Sequence, residues 1–124
     1  MTISRPKFFK TITGQIIPLP IFFPDATRAV LKTLDSTDIE STQTLGVLVN
    51  TFHLFQDPGH DVIKKFGGVR NFMNWGGGVI SDSGGFQVMS LAKSMDGNKA
   101  VTDTGVTFKL DGKKILFTPE MSIK

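Results

Sequence analysis

An α/β fold with parallel strands is what this sequence predicts, on three observations. The run opening "LGVLVNTFHLF" (45–55) is rich in Leu and Val and does not alternate, the pattern of a strand buried on both faces. A second apolar run, "GGGVISD", carries the same signal, and "DPGHDVIKKFGG" lies between the two with helical spacing. With "PIFFP" and "LDSTDIESTQTLG" ahead of them, the order reads strand, helix, strand, helix, strand.

Each element has its own reason. Residues 1–19 are expected to be irregular or hairpin-like, with Gly14 between "FFKTIT" and "QIIPL". "PIFFP" (20–24) is apolar and stopped by proline at strand length. In "LDSTDIESTQTLG" Asp35 or Ser36 caps a helix weakened by Thr and Ser, and Gly46 is its stop. Asp57 is the expected cap of the next helix, Pro58 its first residue, and Gly67 and Gly68 its end. "VRNFMNW" adds a helical turn. In "VTFKLDGKKILF" (106–117) Asp111-Gly112 is a favoured two-residue turn, so an antiparallel hairpin is inserted after the third strand. Thr118, Pro119 and Glu120 then announce a helix near the end of the chain. That late start, and three strands with an open edge, lead to the expectation of a single incomplete domain over 1–124, the first part of a longer protein.

Composition removes several function classes. The chain of 124 residues is 40% hydrophobic and 20% charged, which suits one globular domain. No apolar run nears the ~20 residues of a membrane span, and "MTISRPKFFKTITG" lacks the core of a signal peptide. The absence of cysteine excludes disulfides and thiolate metal sites within this chain, and the expectation is a cytoplasmic protein. The net charge of +3 permits a nucleic-acid partner without requiring one.

The chemistry concentrates in "VISDSGGFQVMSL" (79–91). Asp82 ends a parallel strand, where α/β proteins place their sites. Gly84 and Gly85 let a flat ligand approach the main chain, and Phe86 can stack on a base. On local chemistry alone a plain strand-ending turn explains the same residues and is the simpler reading. Asn50 closes the neighbouring strand and can reach the same crevice. His53, between Phe52 and Leu54, reads as a hydrogen-bonded structural residue, and His60 as solvated. Two histidines without cysteine make a poor metal set. Gly76-Gly77-Gly78 precedes a strand, unlike a phosphate loop, and reads as a flexible connection. Lys64, Lys65, Lys113 and Lys114 read as a solvated face.

Four blocks together resemble the tRNA-guanine transglycosylase (queuine tRNA-ribosyltransferase) family. "VLVNTFHLF" with "DPG" resembles its GNTYHL…PG block. "FGGVRNFMNW" is similar to its Gly-Gly then Phe-Met-x-Trp segment. "SDSGGFQVMSL" matches its Asp-Ser-Gly-Gly-(Tyr/Phe)-Gln-Val block, and "GVTFKLDGKKILFTPEMSI" its GVTF, LDG and Pro-Glu-x-Ser-Ile series. The blocks fall in order over roughly residues 20–124. The resemblance reverses the local reading of Asp82.

It implies the N-terminal portion of a (β/α)8 TIM barrel with an antiparallel hairpin insertion. It implies a pentosyltransferase that exchanges anticodon guanine in tRNA for a 7-deazaguanine. Asp82 stands at the position of the general acid/base. Ser83, Gly84, Gly85 and Phe86 match the base-binding loop, and Asn50 matches an asparagine that orients the aspartate. A purine leaves ribose as its ring nitrogens gain a proton, and its replacement loses one; a carboxyl group taken out of water can serve both directions. A second carboxylate must attack the ribose, and the base must leave its stack. The family's nucleophile and its zinc, held by three cysteines and a histidine, belong to later parts of the barrel with no position here. The expectation is therefore no cofactor in this chain and zinc in the full-length protein, with tRNA and the guanine or 7-deazaguanine base as partners, no membrane, and a homodimer. The chain alone is expected to be inactive. "PIFFPDAT" departs from the usual PAFMPVGT, with Asp25 in place of an apolar residue. A relative acting on DNA, an archaeal-type enzyme acting elsewhere in tRNA, and a non-catalytic partner subunit are the alternatives; the presence of Asp82 speaks against the last.

Overall fold

The computed structural model describes residues 5–96 and 100–123; residues 1–4, part of the segment expected to be irregular, lie outside it. Its centre is β3 (Gly46–Asn50), in which every residue but Leu48 is buried. β4 (Gly78–Asp82) runs parallel to it, in the register Gly46↔Gly78 through Asn50↔Asp82. The continuous Leu/Val run therefore forms the strand that its lack of alternation predicts.

The two faces of this pair differ. On one, Val47 and Val49 pack with Ala26, Ala29, Ile39, Leu54 and Trp75. The helices α1 (Ser36–Ser41), α2 (Thr51–Gln56), α3 (His60–Lys65) and α4 (Val69–Phe72) bring up most of that cover. Burying each of the Val, Ile and Leu side chains is worth about 1.5–3 kcal/mol. On the other face the lowest rung is glycine on both strands. A Cβ on Gly46 would lie 2.1 Å from the Phe23 ring, and one on Gly78 would lie 2.9 Å from Ile17. Ile17 belongs to an N-terminal antiparallel hairpin, β1 (Phe8–Lys10) with β2 (Ile16–Pro18), turned at Gly14 as expected. This hairpin closes the lower end of the open face and leaves the upper end accessible.

"PIFFP" is not a strand. The parallel neighbour of β3 is one step later: Asp25 bridges Leu48, with Leu48 N–H donating to Pro24 O (2.9 Å) and Ala26 N–H to Leu48 O (2.6 Å). Pro20 and Pro24 have no N–H to donate, so regular pairing cannot extend through them. Asp35 caps α1 in a reciprocal capping box with Asp38. Gly46 does not stop that helix; α1 ends at Thr42, and Gly46 starts β3. Asp57 is not the cap of the next helix but the extended residue closing α2, where its carboxylate meets Arg28 at 3.2 Å. α3 is preceded by Gly59, and Gly67 and Gly68 close it with N–H groups donating to Lys64 O and Ile63 O, a Schellman arrangement. Of the triple glycine, Gly76 is exposed, whereas Gly77 and Gly78 are packed. A Cβ on Gly77 would strike the Trp75 ring at 2.3 Å, and the Trp75 indole N–H donates to Gly78 O.

The insertion is larger than a hairpin. β6 (Gly105–Leu110) and β7 (Lys113–Phe117) pair around Asp111-Gly112, both with positive φ, as a type I′ turn requires. β5 (Val101–Thr102) adds a third antiparallel strand. α5 (Gly85–Asp96) precedes this sheet and packs on it. Phe108 and Phe117 form its core with Phe52 and Val88, and Phe52 meets Phe108 edge-on at 5.6 Å. Because Phe52 and Val88 follow the ends of β3 and β4, the insertion sits at the carboxyl end of the parallel strands. α6 (Pro119–Ile123) starts as predicted, with Thr118 Oγ1 accepting from Met121 N–H at 3.4 Å. The chain is thus a mixed α/β unit. Among the described residues no helix is long and apolar enough to cross a membrane.

Candidate active site

Register brings the site together. Asn50 and Asp82 are partners in the last rung of the β3–β4 pair, so their side chains leave the same face at the same height. Asn50 Nδ2 donates to Asp82 Oδ2 at 2.9 Å. Asn50 Oδ1 accepts from His53 N–H at 3.2 Å, which caps α2. The asparagine is 6% exposed, the described buried polar residue among the core side chains. Its amide is oriented from below by α2 and spends its donors on the carboxylate and, at 3.4 Å, on Gln87 Oε1.

Asp82 itself is exposed. Its Oδ1 accepts from Gly84 N–H at 3.2 Å, and Ser83 Oγ accepts from Gly85 N–H at 3.3 Å. These are the local turns of the simple strand-ending reading, and they are present. They occupy only part of the carboxylate, since Oδ2 faces Asn50. Gly84 has φ +72, and a Cβ there would lie 2.3 Å from Phe52 Cβ and 3.1 Å from Asn50 Oδ1. The loop therefore lies flush on the start of α2, and only glycine fits. Gly85 opens α5 and is exposed; Phe86 follows it and is 81% exposed.

All six residues singled out in the sequence, Asn50, Asp82, Ser83, Gly84, Gly85 and Phe86, thus gather at one strand end. His53 lies beside them without joining them. Its ring is edge-on to Phe52 at 5.7 Å, and its Nδ1 is buried with no hydrogen-bond partner, unlike the hydrogen-bonded histidine expected. His60 faces Asp61 at 3.4 Å. Gln87 was not singled out, although helical spacing from a Gly-Gly helix start would have turned it back toward Asn50. An apolar groove of about 710 Å³ lies on the opposite, helical face, lined by Leu54, Ile63, Val79 and Met121. It is not where the polar groups converge. The chain has no cysteine, and among the described residues no three His, Asp or Glu side chains cluster. No set of its described residues fits the zinc implied for the full-length protein.

A hydrogen-bonded carboxylate at the carboxyl end of parallel strands, beside a glycine-floored loop and an open ring, defines an α/β protein with a polar site at its strand ends. The comparisons make the class specific: the chain belongs to the queuine tRNA-ribosyltransferase family, whose model matches residues 5–124. Proteins of that name from Desulforamulus reducens, Blochmanniella pennsylvanica and Latilactobacillus sakei are each 44% identical to it, over 121, 126 and 129 residues. Those matches cover 94%, 99% and 98% of this chain but 31%, 33% and 33% of theirs. The chain spans about a third of the length of these curated relatives.

Proposed function

We propose that these residues supply the acid–base carboxylate and the base-binding loop of a tRNA-guanine transglycosylase, a cytoplasmic enzyme that exchanges anticodon guanine for a 7-deazaguanine. The observation that carries the reading is Asp82. One oxygen is fixed by its own turn, the other by a buried amide, and the group remains open to a ligand. Family membership supplies the reaction class.

The reaction is a double displacement at the ribose carbon. A carboxylate outside this chain attacks that carbon, and the glycosidic electron pair leaves with guanine. The incoming base then attacks the same carbon and expels the carboxylate with its electron pair; Asp82 donates a proton to the departing purine and takes one from the incoming base, ending as it began. Asn50 holds the carboxylate through both steps. The Phe86 ring offers a face on which either purine can stack, and the Gly84-Gly85 backbone lets its edge approach. β4 pairs only with β3 among the described residues, so Asp82 here is solvated. In a (β/α)8 barrel the later strands would close over it and withdraw it from water.

The test is radiolabelled guanine exchange into tRNA by the chain completed to the length of its relatives with the remainder of the Latilactobacillus sakei protein, beside the same chain carrying Asp82→Asn. Exchange that depends on Asp82 is the expected result. A folded, RNA-binding protein that exchanges no base overturns the reading.

A further inference from the structure

Asp25 shares the open face with Asp82. It bridges Leu48 in parallel, and Leu48 pairs with Ile80, so Asp25, Leu48 and Ile80 form one rung across three adjacent segments. Side chains of one rung leave a parallel sheet on the same side, and residues two further along leave it on that side again. Asn50 and Asp82 are those residues. From sheet spacings, Asp25 lies on the order of 10 Å from Asp82. That is the reach from a purine ring across its own sugar or to the next one.

The carboxylate is exposed and held. Thr27 Oγ1 donates to Asp25 Oδ1 at 2.7 Å, and among the described residues Oδ2 has no hydrogen-bond partner. Among the described residues no cation pairs with it. Its rung neighbours are apolar: Leu48 is half-buried and Ile80 is 41% exposed. An apolar floor with one oriented acceptor at its edge suits the carbon face of a sugar and one of its hydroxyls. It does not suit phosphate, which a carboxylate repels.

We infer that Asp25 is a specificity-determining residue that accepts a hydrogen bond from a ribose hydroxyl of the substrate strand and so favours RNA over DNA. The inference rests on the transglycosylase reading. A 2′-hydroxyl is the donor that DNA lacks. A deoxyribose seated on Leu48 and Ile80 would shield the Asp25 carboxylate from water and give it no donor in return, the arrangement that discriminates most strongly.

The experiment uses the completed protein and RNA stem-loops that differ by a single 2′-deoxy substitution at the target guanosine or at either flanking nucleotide. Base exchange is measured as kcat/KM for the unaltered protein, Asp25→Val and Asp25→Asn, with thermal melting of each as the folding control. The unaltered protein is expected to lose about 10- to 100-fold at one of the three positions, the worth of a hydrogen bond to a charged acceptor. Asp25→Val should lose as much on the all-ribose substrate and become insensitive to deoxy substitution there. Asp25→Asn, which keeps an acceptor oxygen, should retain part of the preference. Equal deoxy sensitivity in all three proteins overturns the inference, as does a selective loss in Asp25→Val only for incoming bases bearing an amine. No exchange by the unaltered protein would remove the transglycosylase reading and the inference with it, whereas exchange with unchanged discrimination removes the inference alone.

Discussion

Asn50 and Asp82 end adjacent strands in the same register, yet Asn50 is 6% exposed and Asp82 is open to solvent. The difference comes from the connection leaving each strand. After Asn50 the chain turns at once into α2, whose first turn needs a side-chain acceptor, and the asparagine is drawn under it. After Asp82 the chain spends Ser83 and Gly84 before α5 begins, and this slack keeps the carboxylate outside. One strand end is thereby buried beneath a helix and the other left open to solvent. Two polar residues in the same register differ in exposure because their connections differ by two residues.

The sharpest way to break this division is Asp82→Asn, made in the completed protein. The amide keeps the shape and can still accept from Gly84 N–H, but it cannot cycle a proton. General acid–base catalysis contributes ~10²–10⁴-fold, so guanine exchange should fall by at least the lower bound. The melting temperature should move little, because the group is exposed and its turn survives. A lowered melting temperature with unchanged exchange would return Asp82 to a purely structural role.

Much of this was legible in the sequence, for physical reasons that differ by element. β3 was readable because burial on both faces removes alternation from a strand. The Asp111-Gly112 turn was readable because a type I′ turn needs two positive φ values, and few dipeptides supply them. The candidate site residues were readable as a motif, and the strand register explains why they lie together. "PIFFP" misled because hydrophobicity marks burial, not pairing: Phe23 fills the glycine rung instead of forming a strand. α2 was hidden because "NTFHLF" continues an apolar run without punctuation, and Asn50 serves as strand end and helix cap at once. α5 was hidden behind Gly84-Gly85, which signal a turn more strongly than a helix start. Asp25 could not have been placed on the site face from sequence, since its bridge to Leu48 is a tertiary contact.

Gly84→Ala should cost the most stability at this end, about 2–4 kcal/mol. It adds the strain of a positive φ to a Cβ lying 2.3 Å from Phe52 Cβ. Urea denaturation measures it, and a cost under about 1 kcal/mol would mean the loop lifts off α2 easily. Exchange should fall as well, since a lifted loop carries Asp82 and Phe86 with it.

Asn50→Ala removes a buried group that serves two neighbours. The lost cap costs about 1 kcal/mol, and the cavity and altered hydrogen bonding raise this to about 1–3 kcal/mol. Asp82 loses its amide partner, so exchange should drop about 10-fold or more at saturating tRNA. Full exchange at a temperature where the variant is folded would show that Asp82 needs no orienting partner.

The smallest effect tests whether Asn50 acts by orientation or merely by tying the strand ends together. On the other face, Thr51 and Ser81 hydroxyls lie 2.8 Å apart and form a second tie between the same two strand ends. The pair is exposed, and Ser81 Oγ also lies 3.2 Å from Asp82 O. Ser81→Ala removes this tie and leaves Asn50 in place. An exposed neutral hydrogen bond is worth about 0.5–1 kcal/mol, so the melting temperature should fall slightly. Exchange should stay within about twofold of the unaltered protein, because the Asp82 side chain keeps both partners, Asn50 Nδ2 and Gly84 N–H. If tying the ends were all that mattered, Ser81→Ala would lower exchange in the same proportion to its stability cost as Asn50→Ala. Plotting loss of exchange against loss of stability for the two variants separates the cases. A shared line removes the orienting role of Asn50, and an Asn50→Ala point well below the Ser81→Ala trend keeps it.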